Sequence, residues 1–186
     1  MKFERAIIIR DKTRLEQLIE RFNSKAQAKF YIESSGGDFN FYELEHDIFY
    51  VALLKVKSDL RGILKHKVIN RSFLPTYIFT ENDLVLVIGQ DGLVANTAKY
   101  VNGQPIIGIN PDERRYDGVL LKHNPESFKN LLKKVLKNNY ETIQVTMAKA
   151  TLNDGQTLLA FNDFYIGADS HISSRYTIQF GSKKEQ

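Results

Sequence analysis

Asp83-Leu-Val-Leu-Val-Ile88 runs into Gly89-Gln90-Asp91-Gly92 and then into Leu93–Val101, where Val94, Ala98 and Val101 recur at helical spacing. An unbroken aliphatic run of this length fits a strand buried on both faces of a parallel sheet, and the periodic stretch after the glycines fits a crossover helix. Strand, glycine loop and helix in that order are the unit from which open α/β sheets are built.

The flanking sequence extends the same pattern. Downstream, Pro105–Asn110 reads as the next buried strand, and Asn124-Pro125 opens a helix with an N-cap and an N1 proline. Its inner stripe is Phe128, Leu131, Leu132, Val135 and Leu136. Upstream, residues 3–9 read as a first strand, and the capping box Thr13-x-x-Glu16 starts a helix with Leu15, Leu18, Ile19 and Phe22 on one face. Residues 28–33 are expected to form a second strand, closed by the loop Ser34-Ser35-Gly36-Gly37-Asp38. A long amphipathic helix follows with Phe41, Leu44, Ile48, Val51 and Ala52 as its apolar positions, and with Tyr42, Phe49 and Tyr50 as packing aromatics. Val68-Ile69 gives a short strand, and Leu74-Pro75 breaks the chain before Asp83.

From Thr142 the period changes from helical to alternating. Ile143, Val145 and Met147 alternate with polar residues, Asn153-Asp154-Gly155 is a hairpin signal, and strand-like runs follow at 157–166 and 172–180. The expected fold is therefore α/β: an open, mostly parallel sheet with flanking helices over residues 1–141, followed over 142–186 by the start of an antiparallel β domain.

Composition bounds the chemistry. Without cysteine there is no disulfide framework, thiolate metal site or thiol nucleophile, so carboxylates, hydroxyls, amides and backbone groups must supply whatever chemistry there is. The formal charge of +4, from 26 basic and 22 acidic residues, favours anionic ligands mildly. Lys129, Lys133, Lys134 and Lys137 share one helix without interleaved aromatics, which fits a solvated face better than a nucleic-acid surface. No signal-peptide core or membrane span precedes Ala6–Ile9, so a soluble cytoplasmic protein is expected.

A glycine loop between a strand's carboxyl end and a helix N-terminus is where open α/β sheets bind ligands, because exposed N–H groups and the helix dipole attract phosphate. The aspartate inside Gly89-Gln90-Asp91-Gly92 repels phosphate unless it also accepts a proton from an attacking hydroxyl, or holds a metal or a ribose. The competing reading makes Asp91 a helix N-cap and the glycines a turn. His171, with Arg175 close by, reads as a surface or capping residue rather than a catalyst, and Asp112, Glu113 and Asp117, interleaved with Arg114 and Arg115, as a solvated turn rather than a metal site.

Gly89-Gln90-Asp91-Gly92, Pro105-Ile-Ile-Gly108-Ile109-Asn110, Asp117-Gly118-Val119-Leu120 and Ala160-Phe161-Asn162-Asp163 follow one another in an order and spacing that resembles NAD kinases and the superfamily they share with diacylglycerol kinases. The similarity spans residues 83–180. It implies ATP-dependent phosphorylation of a nucleotide hydroxyl, the 2′-hydroxyl of NAD first of all, with Mg²⁺ neutralising the phosphates. By the same resemblance Asp91 is the catalytic residue, and Gly89, Gln90, Gly92, Asn110, Asn162 and Asp163 contact phosphate or nucleotide, the last two holding the acceptor. The chain departs from the family at Gln90, which replaces a second glycine, and at Pro111-Asp-Glu-Arg-Arg-Tyr116. These departures resemble a divergent, sugar kinase-like branch. Two alternatives stay open: a kinase of another hydroxyl such as a sugar's, and a non-catalytic nucleotide-binding module. The family's β domain continues beyond its Asn-Asp pair, so either a truncated version of a longer protein or a shortened product that associates through its β part is expected.

Overall fold

Four of the strands expected in the first part of the chain, at 3–9, 68–69, 83–88 and 105–110, are present, though not the one expected at 28–33. The computed structural model describes residues 3–165, 167 and 177–185. Strands β1 (Arg5–Arg10), β2 (Lys65–Asn70), β3 (Asp83–Ile88) and β4 (Ile106–Ile109) form one all-parallel sheet in the order β2-β1-β3-β4. Every residue of β3 is buried, which its unbroken aliphatic run requires. Register pairs Ile8 with Val68 on one side and with Leu86 on the other, and Leu86 in turn with Ile107.

The period of two along each strand divides the core. Ala6, Ile8, Leu84, Leu86, Ile88 and Ile109 face helices α3 (Asn40–Leu60) and α5 (Pro125–Leu136), meeting Phe49, Leu53, Val56, Leu60, Phe128, Leu132 and Val135. Ile7, Ile9, Val85 and Val87 face the opposite way, against Leu93 and Val94 of α4 (Asp91–Ala98), Leu74 of a 3₁₀ turn (Arg71–Thr76), and Phe79. Each fully buried Ile or Leu contributes on the order of 2 kcal/mol, and both layers are needed because this sheet has no solvent face. Only β2, an edge strand, exposes Lys65 and Lys67, which discourage pairing with a further strand.

Helices α1 (Arg14–Phe22) and α2 (Lys25–Ser34) form a satellite packed on α3. Its small core contains Leu15, Ala28 and Phe39. The capping box at Thr13 and Glu16 is formed, as is the Asn124 N-cap with Pro125 inside the first turn.

Several expectations need correction. Residues 28–33 are helical: Ser24 caps α2 by accepting from the Gln27 N–H at 3.1 Å, and Ala28 and Ile32, one turn apart, supply the inward face. The α2 C-terminus closes through Gly36 and Gly37, whose N–H groups donate to Glu33 and Ile32 carbonyls. In α3 the inner face is Phe49, Ala52, Leu53, Val56 and Leu60, while Phe41, Leu44 and Val51 are exposed. Of the apolar stripe expected from spacing, Ala52 is buried and Ile48 half-buried, whereas Phe41, Leu44 and Val51 face outward. The helix after the glycines starts at Asp91, two residues early, and stops at Ala98.

The chain divides into two compact units, residues 1–146 and 147–186. Ile143 and Val145 are exposed and lie outside any strand. In the second unit β5 (Ala148–Thr151) and β6 (Thr157–Ala160) pair antiparallel around the Asn153-Asp154-Gly155 turn, where Gly155 takes φ 87°. The run expected at 157–166 stays in the strand only to Ala160. Strands β7 (Ile178–Phe180) and β8 (Lys183–Glu185) form a second hairpin. Residues 172–176 of the last expected run lie outside the described residues, as do His171 and Arg175.

Candidate functional site

Strand order fixes where a ligand can enter. The chain leaves β1 through α1–α3 to reach β2 on one side, then returns to place β3 on the other side of β1. The connections after β1 and β3 thus depart over opposite faces of the sheet, which opens a crevice at their carboxyl ends. A cleft of about 350 Å³ lies there, lined by Asp11–Arg14, by Ile88–Gln90 and Gly92, by Glu45 and Phe49 of α3, and by the 111–116 segment.

The end of β1 is held rigidly. Arg10 is buried, donates to the Tyr50 hydroxyl at 2.7 Å and pairs with Glu16. Tyr50 also donates to Glu16, which accepts the Thr13 N–H at 2.8 Å. Burial would push the Glu16 carboxyl up, but Arg10, the Thr13 N–H and Tyr50 together hold it below the usual range. Burial works against Arg10's charge in the same way, and Glu16 and Tyr50 outweigh it, so the pair stays ionised.

The glycine loop is placed at this crevice. Gln90, extended at φ −111° and ψ 161°, is the N-cap of α4, without a side-chain cap bond. Its side chain reaches the Tyr116 phenol, which burial and the nearby Glu45 charge hold above its ordinary range. Gly92 lines the cleft, and a Cβ there meets nothing within 4 Å, so packing within the protein does not require a glycine.

Asp91 does something neither sequence reading contained. It caps no helix; its two carboxylate oxygens accept the backbone N–H groups of Leu120 at 2.6 Å and Val119 at 3.2 Å. Its carboxylate is bound to the 118–121 segment and does not line the cleft. Asn110 is likewise structural: buried, it donates to the Tyr116 carbonyl at 2.9 Å and accepts the Asp112 N–H at 3.0 Å. Gly118, at φ 68°, packs on that amide, and a Cβ there would come within 2.7 Å of Asn110 Nδ2. At Gly108 a Cβ would sit 2.4 Å from the Leu120 carbonyl oxygen. Three of the motifs therefore fold into one device, in which Asp91, Gly108, Asn110 and Gly118 fix the course of residues 110–121 past the sheet.

The cleft contains charges that spacing did not reveal. Lys12, Arg14, Arg71 and Arg115 line it together with Asp11, Glu45 and Asp112. Lys12 pairs with Glu20, and Arg71 with Asp11 at 3.2 Å. Glu45, 7% exposed, takes both Arg14 and Arg115 on one oxygen. These residues are missed by a linear reading because they are 31 and 70 positions apart. The only sequence signal was the Arg114-Arg115 pair, which reads as solvated, whereas Arg115 is mostly covered.

Asn162 and Asp163 belong to the second compact unit, beyond the end of β6, and both are exposed. They are not embedded in a strand, although the strand-like run expected at 157–166 would have contained them. No group of three or more His, Asp and Glu side chains converges as a metal site among the described residues. No helix among them is long and apolar enough to cross a membrane.

Comparison with protein-family models and with curated proteins finds no match to this chain.

Proposed function

We propose that this chain binds the phosphates of a nucleotide in the cleft between β1 and β3 and transfers a phosphoryl group from ATP to a nucleotide hydroxyl, that of NAD first. The observation that carries this reading is the pairing across one cleft of a glycine loop at a helix N-terminus with four basic side chains, Lys12, Arg14, Arg71 and Arg115. Phosphoryl transfer depends mainly on positioning and on charge stabilisation, which such a site supplies without a nucleophile. Gly92 would offer its backbone N–H to phosphate, and the open space over it suits a ligand in contact with the main chain, while Gly89, whose N–H donates to the Ile109 carbonyl at 3.4 Å, would shape the loop. Mg²⁺ would enter with the nucleotide's phosphates, since the cleft carboxylates Asp11 and Asp112 are each already paired with an arginine, Arg71 and Arg115. Asn162 and Asp163 are proposed acceptor ligands on the resemblance to NAD kinases alone.

A second reading is favoured by one observation. Asp91 is engaged by two backbone amides, which suits a positioning role and is compatible with a nucleotide-binding module that has no turnover. Radiolabelled ATP incubated with the chain and a panel of NAD, NADH and free sugars decides among these. Label appearing in NAD supports the first reading, and label in a sugar moves the acceptor. Calorimetric binding of ATP or NAD without any transfer establishes the module, and absence of nucleotide binding overturns both.

A further inference from the structure

Arg14 follows β1, Glu45 lies on α3 and Arg115 lies between β4 and α5, yet their charged ends meet at the wall of the cleft. Both guanidinium groups also lie against Phe41, with centroid distances of 4.8 Å for Arg14 and 4.2 Å for Arg115. Stacking on one ring and pairing with one carboxylate oxygen hold the two side chains side by side. Arg115 Nε is buried without a hydrogen-bond acceptor among the described residues; its nearest carboxylate oxygen, on Asp112, is 3.5 Å away. An unmet buried donor is rare in native structures and calls for a reason.

We infer that Arg14 and Arg115 form a subsite for a phosphate group, and that Glu45 sets its affinity by orienting the pair while cancelling part of its charge. This rests on the phosphate-binding reading of the cleft given above. Paired planar guanidinium groups match phosphate oxygens in a way that lysines do not. Two carboxylates, Glu45 and Asp112, balance the two arginines, so the subsite binds weakly by charge alone and gains from its geometry. Glu45 is buried, and its negative charge acts on an incoming anion with little screening. A purely structural Glu45 predicts the opposite response to neutralisation, because loosened arginines bind less well.

The test uses the full chain and calorimetric titration with inorganic pyrophosphate and with ATP. Glu45→Gln keeps an acceptor for both arginines and removes the charge, and pyrophosphate should then bind roughly three- to tenfold tighter. Arg14→Met, at a side chain that is partly exposed, should weaken binding at least about tenfold. Arg115→Lys, which keeps the charge but loses the fork, should also weaken it. Lys133→Met on the exposed face of α5 serves as the control for overall charge and should leave affinity within about twofold. Equal or weaker binding by a folded Glu45→Gln protein overturns the role given to Glu45. Should that variant not fold, unchanged affinity in Arg14→Met and Arg115→Lys overturns the subsite. If ATP binds and none of these variants responds, only this inference falls; if neither pyrophosphate nor any nucleotide binds wild type or Glu45→Gln, the proposed function falls with it.

Discussion

Asp91 shows how a residue chosen for chemistry can have its role set by distant backbone. Each of its oxygens accepts an N–H from residues 119 and 120, so an asparagine there presents an NH₂ to one of those donors. Asp91→Asn should therefore lower stability by about 1–3 kcal/mol in urea denaturation. An unchanged midpoint means the two amide contacts contribute nothing. Gly92→Ala gives the complementary case. With no atom to strike and a helical position to fill, it should hold or raise stability by up to about 1 kcal/mol. Nucleotide affinity should nonetheless fall, because a methyl group then separates ligand from backbone; equal calorimetric affinity in both proteins removes Gly92 from the site. Gly108→Ala should be severe, since its Cβ meets a backbone carbonyl at 2.4 Å rather than a side chain that can turn away. Overpacking of this kind costs about 1–3 kcal/mol or more. Sequence located the glycine loop because strand, loop and helix are local features. It could not locate Glu45 with its two arginines, or the partners of Asp91, because those contacts exist only after the sheet has assembled.

Helix α3 has two apolar stripes, and only packing selects between them. Phe41, Leu44, Ile48 and Val51 repeat at three- and four-residue steps as well as Phe49, Leu53, Val56 and Leu60 do. Periodicity alone cannot rank two stripes that both recur at helical spacing. The deciding facts are tertiary: Leu53 and Val56 meet the sheet, whereas Val51 is 69% exposed. Leu53→Ala or Val56→Ala should cost about 2–4 kcal/mol, and Val51→Ala should stay within about 0.5 kcal/mol, as read from chemical denaturation. Comparable losses at Val51 and Val56 reverse the assignment. The α2 segment departs from its sequence reading for a related reason. Phe30-Tyr31-Ile32 has strong strand propensity, but Ser24 offers a cap and Ala28 and Ile32 meet α1 and α3 one helical turn apart, so context outweighs propensity. By contrast β3, α5 and both caps were legible, since their signals agree at every level.

For the molecule as a whole, the parallel sheet is pinned at its amino-terminal end by a charge pair, and this gives stability a definite pH dependence. Arg5 and Asp83 are register partners on β1 and β3, and the Asp83 side chain is wholly buried. Arg5 Nη2 donates to Asp83 at 3.1 Å, and the Thr80 N–H does so at 2.7 Å. Burial pushes the Asp83 carboxyl up, but Arg5 and the Thr80 N–H outweigh it and hold the group below its ordinary range. The unfolded chain, with a carboxyl near its reference value of about 3.9, therefore takes up a proton first as pH falls. Stability from this pair is complete above that value and is lost as pH drops through the lower folded value. His123 acts in a separate window. Burial alone pushes its imidazole down, so the unfolded chain protonates first below about pH 6.5 and stability begins to fall there. Asp83→Asn should lose about 2–3 kcal/mol at pH 7, a range that allows for Arg5 being partly exposed. It should also flatten the stability curve below about pH 4 while leaving the His123 limb intact. Urea midpoints collected from pH 7 to pH 2 on both proteins check this, and parallel curves below pH 4 would mean that Asp83 carries none of the acid sensitivity.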